Sequence, residues 1–135
     1  MFMKISKITI TRLRKPKSHN INQELQWFGN SLGLFGLRDK DKSCFRIFIE
    51  LLKSTKAGEG MSSDEIAFKL SLSRGTVVHH LNKLMESGII IHRKNKYFMR
   101  VDNLKELIKV LKSDIEKSFK DLEEMANEID SVLGL

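Results

Sequence analysis

One cysteine, one proline, one tryptophan and one tyrosine are all that 135 residues supply of these four types. The lone cysteine, Cys44, excludes an internal disulfide framework. Set in the apolar run CFRIFIELL, it reads as a small buried hydrophobe rather than a nucleophile. With Pro16 the sole proline, only glycine interrupts helices beyond it. Aromatic residues make up 7%, so a core must be built from Ile, Leu, Val, Met and Phe. No apolar run approaches the roughly 20 residues that span a bilayer. Lysines interrupt the first ten residues, which lack the apolar centre of a signal peptide. A cytoplasmic protein with no membrane partner is the expectation. Catalytic signatures are missing too. There is no G-x-x-x-x-G-K phosphate loop, no metal-ligand spacing and no serine-nucleophile elbow. Glu123-Glu124 lies in an acidic helical stretch that reads as solvated. No enzymatic activity, cofactor or metal is expected.

What the chain does have is positive charge, unevenly placed. The formal net charge is +7. Residues 1–100 carry a balance of +11 and residues 101–135 a balance of −4. A basic front and an acidic tail point to a polyanionic partner for the front alone.

Periodicity divides the chain into three parts: 1–21, a basic strand or arm; 22–101, a folded domain; and 102–135, a helix. In the first part Ile8 and Ile10 alternate with Thr9 and Thr11, as in a short strand, and Arg12, Arg14, Lys15 and Lys17 follow. From about Asn22 a short amphipathic helix gives way to WFGNSLGLFGL, whose glycines disfavour a long helix. Its Trp27, Phe28, Leu32, Leu34 and Phe35 must pack on the domain or across a dimer.

Asp39 or Asp41 is placed to cap a helix over 41–55, with Phe45, Phe48, Ile49 and Leu52 as its buried stripe. KAGEG ends it. Ser62 with Glu65 forms a capping box for a second helix that turns Ile66, Ala67 and Leu70 inward. A tight turn at Leu72-Ser73 leads to a third helix, RGTVVHHLNKLMES, capped by Ser73 and stopped by Gly88. Ile89–Ile91 and Tyr97–Met99 read as two strands joined by the polar turn Arg93-Lys94-Asn95-Lys96. From Asn103 to Leu133 one helix carries Leu104, Ile108, Leu111, Ile115, Leu122, Met125, Ile129 and Val132 at alternating gaps of mostly 3 and 4. Such a seam is sticky when alone, so pairing in a homodimer is expected, with folding back on the domain as the other solution.

Helix, tight turn, helix and cationic hairpin, in that order, make a winged helix-turn-helix within a mainly α (α+β) fold. With Val77, Leu81 and Leu84 turned inward, the third helix presents Arg74, Gly75, Thr76, His79, Lys83 and Glu86 outward. A helix of this kind fits the major groove. Arg74 suits guanine or a phosphate, Thr76 a base edge or the thymine methyl, His79 a base edge, and Lys83 a phosphate. Gly75 allows close backbone approach, and Ser73 with the first helical N–H groups seats a phosphate. His80 reads as a half-buried packing residue. Arg93, Lys94 and Lys96 at the wing tip suit the flanking minor groove or backbone.

Residues 62–90 resemble the ArsR-like winged-helix repressors. Leu72, Ser73, Thr76, Val77, His80, Leu81, Gly88, Ile89 and Ile90 occupy the places of that pattern, and the resemblance extends over about Asp41 to Arg100. It implies a sequence-specific, dimeric regulator of double-stranded DNA that sets two recognition helices in successive major grooves. Metal-sensing members of that group use Cys, His and carboxylate ligands. Here there is no cysteine pair, and His79 and His80, adjacent on a helix, point about 100° apart. Two other classes remain: a DNA-architectural protein of low sequence preference, which the basic front suits, and a protein-interaction winged helix in a larger assembly, for which WFGNSLGLFGL offers a hydrophobic surface.

Overall fold

The computed structural model describes residues 7–35 and 42–135. Its elements run α1 (Ile21–Ser31), α2 (Ser43–Lys56), α3 (Ser63–Leu70), α4 (Arg74–Glu86), β1 (Ile90–Arg93), β2 (Lys96–Met99) and α5 (Leu104–Leu133). The two strands pair antiparallel, from Ile90 opposite Met99 to Arg93 opposite Lys96. The fold is mainly helical with a wing and a long C-terminal helix. The caps expected from Asp39 and Asp41 lie outside the described residues. Packing divides the chain into two units, Met1–Asp102 and Asn103–Leu135.

Residues 7–20 contain no strand, although Ile8–Thr11 alternate as a strand would. An alternation of four residues needs a partner strand to become a sheet, and this segment lies along α1 instead. Thr11 N–H donates to the Ser31 carbonyl at 2.7 Å, and Trp27 Nε1–H donates to the Leu13 carbonyl at 3.3 Å. The helix is also longer than its glycines suggest. Asn20 caps it by accepting from the amides of Asn22 and Gln23. Gly29 sits inside it because the Phe35 ring occupies the space where a Cβ would be. The helix stops at Gly33, whose φ of 68° lets Leu34 N–H reach back to the Gly29 carbonyl.

The expected stripe of α2 is rotated. Cys44, Ile47, Phe48 and Leu51 are fully buried, while Phe45, Ile49 and Leu52 are half-buried. CFRIFIELL is apolar on more than one side, so spacing alone does not select the inner face. The helix is sandwiched: Phe48 stacks on Phe28, and Phe35 meets Phe45 edge-on at a ring separation of 5.2 Å. Trp27–Phe35 thus closes over the domain, with Leu34 fully buried.

Three further ties fix the frame. Arg46 Nη2 donates to the Leu70 carbonyl at 2.5 Å, satisfying one of the carbonyls that a helix end leaves open. Thr55 Oγ1 accepts from Met99 N–H at 2.9 Å, joining α2 to the wing. Met61 exchanges both backbone hydrogen bonds with Tyr97, adding a bridge beside the hairpin. The core they enclose includes Ile66, Val77, Leu81, Leu84, Ile89 and Ile90, each essentially inaccessible. Burial of one such side chain contributes about 1.5–3 kcal/mol.

The second unit is α5, capped where Asn103 accepts from Glu106 N–H. It is 30 residues long. Leu107 and Leu111 are buried, and every residue from Glu116 onward is exposed.

Candidate nucleic-acid interface

The helix-turn-helix begins with the capping box. Ser62 Oγ accepts from Glu65 N–H, and Glu65 reaches back to Ser62 N–H. That fixes the start of α3. The helix closes at Ser71, held left-handed at φ 55°, a conformation costing a non-glycine residue roughly 1 kcal/mol. The reversal is tied by Leu72 N–H to the Ala67 carbonyl at 3.0 Å. Ser73 then starts α4: its Oγ accepts from Thr76 N–H at 3.1 Å and donates to Thr76 Oγ1 at 2.7 Å. The two hydroxyls are therefore mutually engaged. Gly88, at φ 77°, ends the helix, and Ile89 N–H returns to the Leu84 carbonyl.

Val77, Leu81 and Leu84 are buried completely. The opposite side is a continuous exposed strip made by Gly75, His79, Asn82 and Glu86. Thr76 and Lys83 flank it, half-buried. A Cβ built on Gly75 would meet nothing within 4 Å, so α4 is open at its first turn. Arg74 projects there. Its Nε lies 3.5 Å from Asp64 Oδ1, with the two side chains 74% and 73% exposed. An ion pair so exposed holds its partners only weakly, which leaves the guanidinium available to another anion.

Two positions differ from the outward set read from the sequence. Lys83 does not simply project into solvent: its Nζ donates to the Leu34 carbonyl at 3.2 Å, tying the end of α4 to the α1 segment. Asn82 was absent from that set, yet it lies on the strip one turn beyond His79. The signal was available, since 75, 79, 82 and 86 follow helical spacing. An asparagine there offers both a donor and an acceptor to a base edge. His80 is half-buried, with its ring centre 5.4 Å from that of His79.

The wing places its cations at the extreme end. Lys94 and Asn95 both take positive φ, 49° and 67°, as the two-residue type I′ hairpin turn requires. The turn is the expected Arg93-Lys94-Asn95-Lys96, with its first and last residues pairing as the ends of the strands. They face each other directly across the ladder. Like charges in that relation are destabilising, so the arrangement favours an anion between or beside them. Arg93, Lys94 and Lys96 are all exposed. Behind them His92 stacks on Tyr97 at 4.3 Å and 11°, stiffening the stem.

On α5, the positions assigned to a dimer seam divide. Leu111 is buried within one chain, Leu104 and Ile115 are half-buried, and Ile108, Leu122, Met125, Ile129 and Val132 are exposed. Phe119, outside the assigned set, is 58% exposed and follows Ser118 beside the stripe. Among the described residues no three His, Cys, Asp or Glu side chains gather as metal ligands would. No helix among them is long and apolar enough to cross a membrane.

Residues 49–92 match the model of a protein family described as bacterial regulatory protein, arsR family. The match runs from within α2 through α3 and α4 into β1, about a third of the chain, and identifies this stretch as an ArsR-family regulator domain. Comparisons with curated proteins and with solved structures found no match.

Proposed function

We propose that the protein is a sequence-specific, double-stranded DNA-binding transcription regulator that acts as a homodimer. In this reading α4 enters the major groove and the wing lies on the flanking backbone. The observation that carries it is the side of α4 opposite the core. That side begins in an open, serine-capped turn and continues through Arg74, Gly75, His79 and Asn82 with no bulky apolar residue. His79 and Asn82 are suited to base edges, Arg74 to a guanine edge or a phosphate, and the first amides of α4 to a phosphate. Ser73 and Thr76 set the helix start rather than reading bases themselves. Lys83 supports α4 from behind its flank. Arg93, Lys94 and Lys96 supply sequence-independent attraction to phosphate.

The homodimer rests on α5. Beyond Ile115 its apolar side chains recur at Leu122, Met125, Ile129 and Val132 with no cover in a single chain. That is the pattern of two helices wound together. The proposed division of the chain is a basic arm over 1–21, a DNA-binding domain over 22–101 and a dimerisation helix over 102–135.

Genome-wide footprinting of the intact protein tests the reading. The expected result is a set of discrete sites made of two inverted half-sites about one helical turn apart, near 34–36 Å. Occupancy spread without sequence preference would instead select an architectural role. No affinity for duplex DNA at low salt would refute the reading.

A further inference from the structure

We propose that the arm and α1 together form a binding pocket for a nucleotide, recognised as a planar base carrying a phosphate. The pocket shares no residue with α4 or the wing, so the inference stands apart from the DNA-binding reading.

The starting observation is the polar side of α1. Asn22, Gln26 and Asn30 follow one another at four-residue intervals, with Gln23 beside them. All four are carboxamides. In a chain that is 30% charged, a merely solvated helix face carries Lys and Glu. Here Glu24 is the single charged residue of the whole helix. Carboxamides differ from charges in offering a donor and an acceptor on one planar group, which is the complement of a base edge.

These four residues line an open pocket of about 380 Å³ together with Trp27 and Arg14. That is within the size range of small-molecule sites. Trp27 is fixed there: its indole N–H donates to the Leu13 carbonyl, so the ring is oriented by the arm that forms the opposite wall. An indole is a stacking platform for any base. Arg14, exposed, is the one cation that lines the pocket, beside Pro16; Arg12, Lys15 and Lys17 are its neighbours in sequence, and among the described residues none of these four cations meets a carboxylate. Residues 7–35 hold five Lys/Arg and one acid, Glu24. The set thus contains a platform for the base, the amides of Asn22, Gln26 and Asn30 for its edge (Gln23 Oε1 already accepts from the Ser18 hydroxyl) and one cation, Arg14, for its phosphate. A free mononucleotide and one nucleotide unit of a single strand present the same chemistry.

Trp27 is the only tryptophan, so its emission reports on this pocket alone. The full-length protein is titrated with AMP, GMP, CMP and UMP, with ribose 5-phosphate, and with a single-stranded deoxyadenosine 12-mer. Saturable quenching by at least one mononucleotide or by the 12-mer is expected, with none from ribose 5-phosphate. Arg14→Gln and Gln26→Leu should each weaken that binding about tenfold while far-UV circular dichroism stays unchanged. A 12-mer no tighter than the mononucleotide identifies a free nucleotide as the ligand; a tighter 12-mer, equally weakened by Arg14→Gln, identifies a single strand. Absence of quenching by all nucleotides and by the 12-mer overturns the proposal. So does equal quenching by ribose 5-phosphate, or wild-type affinity in both variants.

Discussion

Neutralising the wing is the most informative perturbation, because it separates binding from folding. Each protomer presents four cations to a duplex in the proposed mode: Arg74, Arg93, Lys94 and Lys96. Lys83 is left out because its ammonium is held by the Leu34 carbonyl. The logarithm of affinity falls against the logarithm of salt concentration with a slope of about −0.9 per phosphate neutralised. A dimer engaging eight phosphates therefore gives a slope near −7, and a single engaged protomer one near −4. Replacing Arg93, Lys94 and Lys96 together by Gln removes six of the eight contacts and should flatten the slope to about −2. The fold should not suffer. The Arg93–Lys96 pair is a like-charge contact across the ladder, so its removal should leave the melting temperature unchanged or raise it slightly. Fluorescence anisotropy on a labelled operator duplex between 50 and 200 mM salt measures the slope, and calorimetry the stability. A slope unmoved by the triple substitution would refute phosphate contact by the wing. A wild-type slope near −4 would refute simultaneous engagement of two protomers.

Three other substitutions test different joints of the same argument. Gly75→Ala adds a methyl to open space on a helix, so thermal denaturation should show a gain of about 0.5–1 kcal/mol while operator affinity falls; a variant gaining both would remove close backbone approach from the account. Lys83→Met should cost about 1 kcal/mol in chemical denaturation through loss of its bond to Leu34, with the salt slope unchanged; a slope shallower by about 2 would return Lys83 to the phosphate contacts. A chain ending at Lys117 keeps the buried Leu107 and Leu111 but loses Phe119 to Val132, and light scattering should find it folded and monomeric; a persistent dimer would place the interface elsewhere than the end of α5.

Local rules made the helix-turn-helix legible because its signals are short in range and chemically specific. Ser62 with Glu65, Ser73 before Arg74, and Gly88 past the end of α4 are capping devices whose partners lie within three or four residues, and the observed hydrogen bonds are the ones these residue types allow. Periodicity failed where apolar residues crowd every side. In α2 the inner face is set by packing against α4 and by Phe28 stacking on Phe48, contacts made by residues distant in sequence. It failed also where an element needs a partner, since Ile8–Thr11 alternate with no strand among the described residues paired to them. Gly29 shows the converse: a poor helix former stands within α1 because a ring arriving from six residues later leaves it no room for a side chain.

The same contrast bears on the candidate interface. Selection for stability alone would put Ala at 75, separate the charges at 93 and 96, and place Gly at 71, where Ser is held left-handed. All three departures fall in the helix-turn-helix and wing, and each costs the isolated chain about 0.5–1 kcal/mol. Lys42, left-handed at φ 56° ahead of α2, shows that such strain also occurs outside the module, so the weight rests on positions 75, 93 and 96, where an approaching ligand accounts for both departures. The ligand must be anionic, since Arg93 and Lys96 converge and among the described residues no carboxylate pairs with either. It must also approach a helix closely enough for a missing side chain at Gly75 to matter. A duplex, with its charged backbone and a groove the width of a helix, satisfies both conditions at once. Lys83, which spacing alone assigns to the same task, obeys ordinary rules instead: its ammonium finds a backbone carbonyl within the fold, and it needs no external partner to account for its presence.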